Sequence, residues 1–190
     1  MWNYIHKNRH AFLLGDKYAP VVLIRSGAGG TFNGYSDKYL EIAKTLQTEG
    51  KYSTIRSSNN GIESFQEAIT LSKKLARELE ADKIFFIGSS LGALQGLQQE
   101  AEEPLFSKMI LINPPLMVNF YQTTLPAVKQ VHSRVNFVFG SMDPSARYIP
   151  FLSNVLGKKP NISFTLIPNA DHHFSGMLNE FVDICTKFVL

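Results

Sequence analysis

The sequence predicts an α/β fold: a mostly parallel central sheet with helices packed on both faces. Three observations lead to this expectation. Short apolar runs recur along the 190 residues, and several are continuously apolar, as strands buried on both faces of a parallel sheet are. Stretches with helical spacing of apolar residues lie between them. The two kinds alternate, which is the order of βαβ units.

The elements follow in sequence. Residues 2–14 read as one or two edge strands, and strand-like runs then occupy residues 20–25, 52–56, 83–87, 109–112, 135–139 and 162–167. After the first of these runs, Tyr39, Leu40, Ala43 and Leu46 share one helical face. Ser64 and Glu67 have capping-box spacing at the start of a stripe formed by Ala68, Leu71, Leu75 and Leu79. Residues 93–102 read as a helix, and the last stretch places Leu178, Phe181, Val182, Cys185, Phe188 and Val189 on one stripe. These stripes are expected to be core, with Cys185 a buried structural thiol. Ser175 has the position of an N-cap for the last helix.

With 44% hydrophobic and 18% charged residues, the chain can bury a sizeable core, and a single domain over residues 1–190 is expected. No run approaches the ~18 apolar residues of a membrane span. The first residues show no apolar leader region and neither end shows a lipidation motif, so a cytoplasmic location is the default expectation. The lone cysteine allows no internal disulfide. A net charge of +3, spread along the chain, offers no basic stripe for nucleic acid. Oligomeric state is not legible.

In an open α/β sheet, ligands bind beyond the carboxyl ends of the strands, so residues that directly follow the strand runs carry the functional argument. Residues 83–87 run into Gly88-Ser89-Ser90-Leu91-Gly92 and then a helix. This is G-x-S-x-G in a strand–turn–helix context. A nucleophile on a tight, strained turn projects clear of the backbone, and glycines on either side relieve the crowding where strand and helix pass closely. Ser89 is out of register with the glycines. The backbone N–H of Leu91, at the start of the helix, is placed to donate to an oxyanion. An N-cap serine in a glycine-rich turn is the plainer reading of the same residues.

Two later strand ends supply an acid and a base. Residues 135–139 lead into Gly140-Ser141-Met142-Asp143-Pro144, and residues 162–167 lead into Pro168-Asn169-Ala170-Asp171-His172-His173-Phe174. Serine needs an imidazole to take its proton, and the imidazole needs a carboxylate to hold its tautomer. Ser90, Asp143 and His172 therefore form the candidate catalytic set. Asp16, Asp37 and Asp82 precede the serine, and His6, His10 and His132 do not follow a late strand. The first buried run ends in Ser26-Gly27-Ala28-Gly29-Gly30-Thr31. Its spacing fits neither phosphate-binding glycine pattern. The expectation is an oxyanion loop with the N–H of Ala28 as donor.

These four pieces, in this order, resemble the α/β-hydrolase superfamily from about residue 20 onwards. The resemblance implies a mostly parallel sheet of six or more strands, no cofactor and a Ser-Asp-His triad. Many relatives have a histidine where Ser26 stands before the glycine. Residues 117–133, where many relatives insert a cap, form a short segment here. Its Phe120, Tyr121 and Leu125 either line an acyl pocket or close the core. Gly27, Met142 and His173 complete the candidate substrate-binding set.

The function expected is hydrolysis of a carboxylic ester or thioester of a small-molecule acyl substrate through an acyl-enzyme. Amide hydrolysis and acyl transfer use the same parts, and a non-catalytic binding domain is the alternative from another class. Dehalogenation needs a carboxylate at the elbow. No metal is expected, because Asp171, His172 and His173 lack the helical spacing of a zinc motif.

Overall fold

A computed structural model describes residues 3–157 and 159–190. Among these residues, eight strands form one sheet in the order β1-β2-β4-β3-β5-β6-β7-β8. The strands are β1 (Asn3–His6), β2 (His10–Leu13), β3 (Val21–Arg25), β4 (Ser53–Ser57), β5 (Ile84–Ser89), β6 (Lys108–Ile112), β7 (Arg134–Gly140) and β8 (Ile162–Ile167). β1 and β2 form an antiparallel hairpin, β2 joins β4 antiparallel, and every pairing from β4 to β8 is parallel. Of the one or two edge strands expected in residues 2–14, only β1 lies at the edge, with β2 flanked by β1 and β4; Trp2 lies outside the described residues.

Alternation along each strand builds two core layers. Val21 and Leu23 face one layer with Phe65, Ala68, Ala93, Leu97, Val128 and Leu152. Val22 and Ile24 face the other with Tyr39, Ile42, Leu46, Phe181 and Cys185. The first layer is closed by α2 (Ile62–Glu78), α3 (Leu91–Glu102), α4 (Leu125–Gln130) and α5 (Ile149–Leu156), the second by α1 (Lys38–Gly50) and α6 (Leu178–Val189). Burial pushes the Cys185 thiol up to about 12, so it stays protonated.

Two helix starts differ from expectation. α2 begins at Ile62, with Gly61 as its N-cap. The Ser64 hydroxyl donates to the Gly61 carbonyl at 2.7 Å, and Glu67 turns outward to Lys7 and His10. A one-residue glycine turn at φ 103° starts this helix in place of the capping box. α6 begins at Leu178, three residues after Ser175. Phe174 at φ 57° and Gly176 at φ 73° hold the chain in a turn there, and the Ser175 N–H donates to Asp171 Oδ1 at 2.9 Å.

The chain visits β3 and β4 on one side, then crosses to β5 and continues to β8 on the other. The switch lies between β3 and β5, and their carboxyl ends are level, with Arg25 opposite Gly88. A crevice at that point is where such a sheet accepts a ligand.

Candidate active site

Ser90 sits at the β5–α3 turn with φ 51° and ψ −124°, a region that costs a residue other than glycine about 1–3 kcal/mol. The surroundings hold it there. Its N–H donates to the Ile112 carbonyl at the end of β6 over 2.8 Å, and its carbonyl accepts from Ala93 and Leu94. The flanking glycines are needed for two different reasons. A Cβ on Gly88 would stand 2.7 Å from the Ala93 Cα, where strand meets helix. A Cβ on Gly92 would stand 2.3 Å from the Ser26 carbonyl oxygen, so the second glycine makes room for the loop after β3 and not for its own strand.

That loop lies directly over the serine. A Cβ on Gly27 would be 3.0 Å from the Ser90 Cβ. The N–H groups of Ala28 and Leu91 have no acceptor among the described residues, as befits a loop turn and the first residue of a helix. Ser26 fastens the loop internally: its hydroxyl reaches the carbonyls of Gly30 at 2.8 Å and Ser57 at 3.1 Å. Asn59 fastens it to β4. It donates from Nδ2 to the Ser26 carbonyl at 3.0 Å, and its backbone exchanges hydrogen bonds with Gly29 and Gly30. Asn59 is held in turn by Arg25, which donates to Asn59 Oδ1 at 2.9 Å, to Ser57 and Ser64 hydroxyls, and to Gln95. Arg25 is fully buried, and burial pushes its guanidinium down to about 10.

At the other side of the crevice, the buried Asp143 carboxylate accepts from His172 Nδ1 through Oδ2. Its Oδ1 accepts from the Ser145 backbone N–H at 2.7 Å and from the Ser145 hydroxyl. Asn113, at the end of β6, joins the two loops. Its Oδ1 accepts from the Gly140 N–H at 2.9 Å, and its Nδ2 donates to the His172 carbonyl at 3.2 Å. His173 points elsewhere: its ring lies at 82° to that of His172 and stacks on Tyr35 at 5.8 Å.

Two cavities meet at His172. One, of about 370 Å³, is bordered by Gly27, Ala28, Tyr35, Lys38, Ser90 and His173, together with His172. The other, of about 480 Å³, is bordered by Leu116, Met117, Val118, Asp143 and Tyr148, again with His172. Ser90, Gly27, Ala28, His172 and His173 thus border one cavity, with Leu91 next to Ser90 in the chain and Asp143 on the imidazole. The expected pocket residues do not line these cavities. Phe120 is buried against Phe151 and Tyr121, Tyr121 projects outward with 75% exposure, and Leu125 packs on the core. The chain leaves β6 through Pro114-Pro115, so the residues nearest the strand end, 116–118, reach the crevice before Phe120 does. Met142 is exposed and lines neither cavity. Sequence reading missed Lys38, Asn59, Asn113 and Ser145. Asn113 and Ser145 carried a faint signal, as polar residues close behind strand ends and beside prolines.

No metal-ligating cluster occurs among the described residues, and no helix there is long and apolar enough to cross a membrane. No protein-family model matches the sequence, and no curated protein matches it. Solved structures do match its fold. Est1E from Butyrivibrio proteoclasticus superposes with a TM-score of 0.73 at 14% identity, over 99% of this chain and 96% of that one. An alpha-beta serine hydrolase homologue from Coxiella burnetii gives 0.72 at 18% identity, over 100% and 96%. Dienelactone hydrolase from Anabaena variabilis gives 0.75 at 17% identity, over 94% and 89%.

Proposed function

We propose, from the premise that this chain has the α/β-hydrolase fold, that it is a serine hydrolase of small carboxylic esters or thioesters. The observation that carries the reading is the Asp143–His172 pair. It occupies Nδ1 of the imidazole and leaves Nε2 as the basic nitrogen, on a ring that borders the same cavity as a strained, loop-covered serine.

The chemistry follows from those positions. Ser90 Oγ attacks the acyl carbon while His172 Nε2 takes its proton. The Asp143 carboxylate stabilises the imidazolium, with Ser145 fixing its position. The N–H groups of Ala28 and Leu91 donate to the oxyanion, and they need no reorganisation because no internal acceptor competes for them. His172 then protonates the departing alcohol or thiol. Water, deprotonated by His172, cleaves the acyl-serine and restores Ser90. Ser89 does not serve: it is the buried last residue of β5, whereas Ser90 stands on the turn.

A fluorophosphonate probe with mass-spectrometric mapping of the adduct tests this reading. A single adduct on Ser90, lost in a folded Ser90→Ala protein together with esterase activity, is the expected result. An adduct on Ser89, or full activity in Ser90→Ala, overturns it.

A further inference from the structure

The two cavities at His172 differ in chemistry. The 480 Å³ cavity presents Pro115, Leu116, Met117, Val118 and Tyr148. The 370 Å³ cavity presents the glycine loop, Tyr35, two histidines and Lys38, and no Asp or Glu borders it. Lys38 is 5% exposed. Its ammonium donates to the His173 carbonyl at 3.1 Å, which uses one of its three N–H groups, and lies over the Phe181 ring at 4.5 Å. No carboxylate pairs with it among the described residues; Asp171 acts on it only from a distance.

Beyond the His173 carbonyl, the Phe181 and Tyr39 rings and the distant Asp171, the fold offers a cation little at this position. Lys108 and Lys187 sit at or in the carboxyl-terminal turn of α6, where a positive charge is favoured. Lys38 is the first residue of α1, at the end of a helix where the dipole disfavours a cation and favours an anion. A buried ammonium without a counter-ion is costly. An anion entering the cavity would meet this ammonium and the first turn of α1 together.

We propose that the substrate is an ester with an anionic group, a carboxylate in its simplest form, on one side of the scissile bond and an apolar group on the other, and that Lys38 recognises the charge. This deepens the reading of Ser90 as nucleophile and rests on it. Burial brings Lys38 down to about 8, so it is cationic at neutral pH. The groups facing it are Asp171 and His173 from the histidine loop, Tyr39 from its own helix and the protonated Cys185 from α6. Of these, the Asp171 carboxylate supplies the negative charge.

Two ester pairs test the proposal. In the first the charge is on the acyl side: 4-nitrophenyl hydrogen adipate against 4-nitrophenyl heptanoate. In the second it is on the alcohol side: 4-(carboxymethyl)phenyl butyrate against the corresponding carboxamide. In one pair the wild-type kcat/KM should favour the anion by about tenfold or more, the scale of a charge-assisted hydrogen bond, and the winning pair shows which side enters the Lys38 cavity. Lys38→Met should remove that ratio, Lys38→Arg should retain much of it, and in wild type it should fade as pH rises through about 8. A wild-type ratio near one in both pairs overturns the proposal without any variant, as does a ratio that survives Lys38→Met. Ser90 labelling separates the two readings: a labelled enzyme without charge preference overturns this inference alone, whereas an unlabelled, inactive protein overturns the hydrolase.

Discussion

The imidazole that borders both cavities is His172, and its neighbour His173 faces Tyr35 and the rim. Successive side chains in a turning loop diverge, and here Asp171 enforces the divergence by accepting from the backbone N–H groups of His173 and Ser175. On one ester, His172→Ala should lose nearly all turnover and His173→Ala should retain a substantial part. The opposite ranking would move the base by one residue. Asp143→Asn, which leaves the ring in the wrong tautomer, should lower kcat on the order of 10⁴-fold with the fold intact, as in the serine-protease precedent. A comparable loss in Asp171→Asn with none in Asp143→Asn would reassign the acid.

At the scale of elements, the loop after β3 has too few contacts of its own to hold the Ala28 N–H at a fixed position, and the chain after β4 supplies the rest through Asn59. Removing its side chain frees the Ser26 carbonyl and takes away one of the three acceptors around Arg25 Nη2. Asn59→Ala should lower kcat by about tenfold to hundredfold, less than outright loss of an oxyanion donor, with KM changed little. A change confined to KM would show that the loop binds substrate without stabilising the oxyanion. The edge hairpin gives a second element-scale prediction. Lys7, donating at 2.8 Å, together with His10 holds the Glu67 carboxyl at about 2, below its usual 4.5. A depressed carboxylate contributes stability above its unfolded value that is lost as pH falls through its folded one. Glu67→Gln should therefore flatten the loss of stability between about pH 4.5 and 2. Most of this contact is at the surface, so the effect should be small. Identical acid limbs in chemical denaturation would show that Glu67 does not couple the hairpin to α2.

For the molecule as a whole, the carboxyl ends of β3, β5, β6, β7 and β8 place every loop of the candidate site along one edge of the sheet. What covers that edge is slight: between β6 and β7 the chain forms one π-helical turn, Phe120–Thr124, and the six-residue α4. Both cavities stay open to solvent and are small, about 370 and 480 Å³. Short, water-soluble acyl groups should accordingly be turned over better than long chains in a nitrophenyl ester series. An optimum at long chains would demand a tunnel that Leu116, Met117 and Val118 would have to open.

The sequence by itself determined the alternation of strands and helices, the elbow at Ser90, and the strand ends that carry Asp143 and His172. All of these are written in local periodicity and in residues adjacent along the chain. Tertiary structure alone decided what meets what. It showed that Gly92 makes room for the loop after β3, that Asn113 joins two loops lying 27 and 59 residues further along the chain, and that Lys38 borders the serine's cavity. It also moved the apolar wall from Phe120, Tyr121 and Leu125 to Leu116, Met117 and Val118. An aromatic residue in a loop has the same composition whether it faces a ligand or the core. The difference is set by where neighbouring strands end, and periodicity does not encode that.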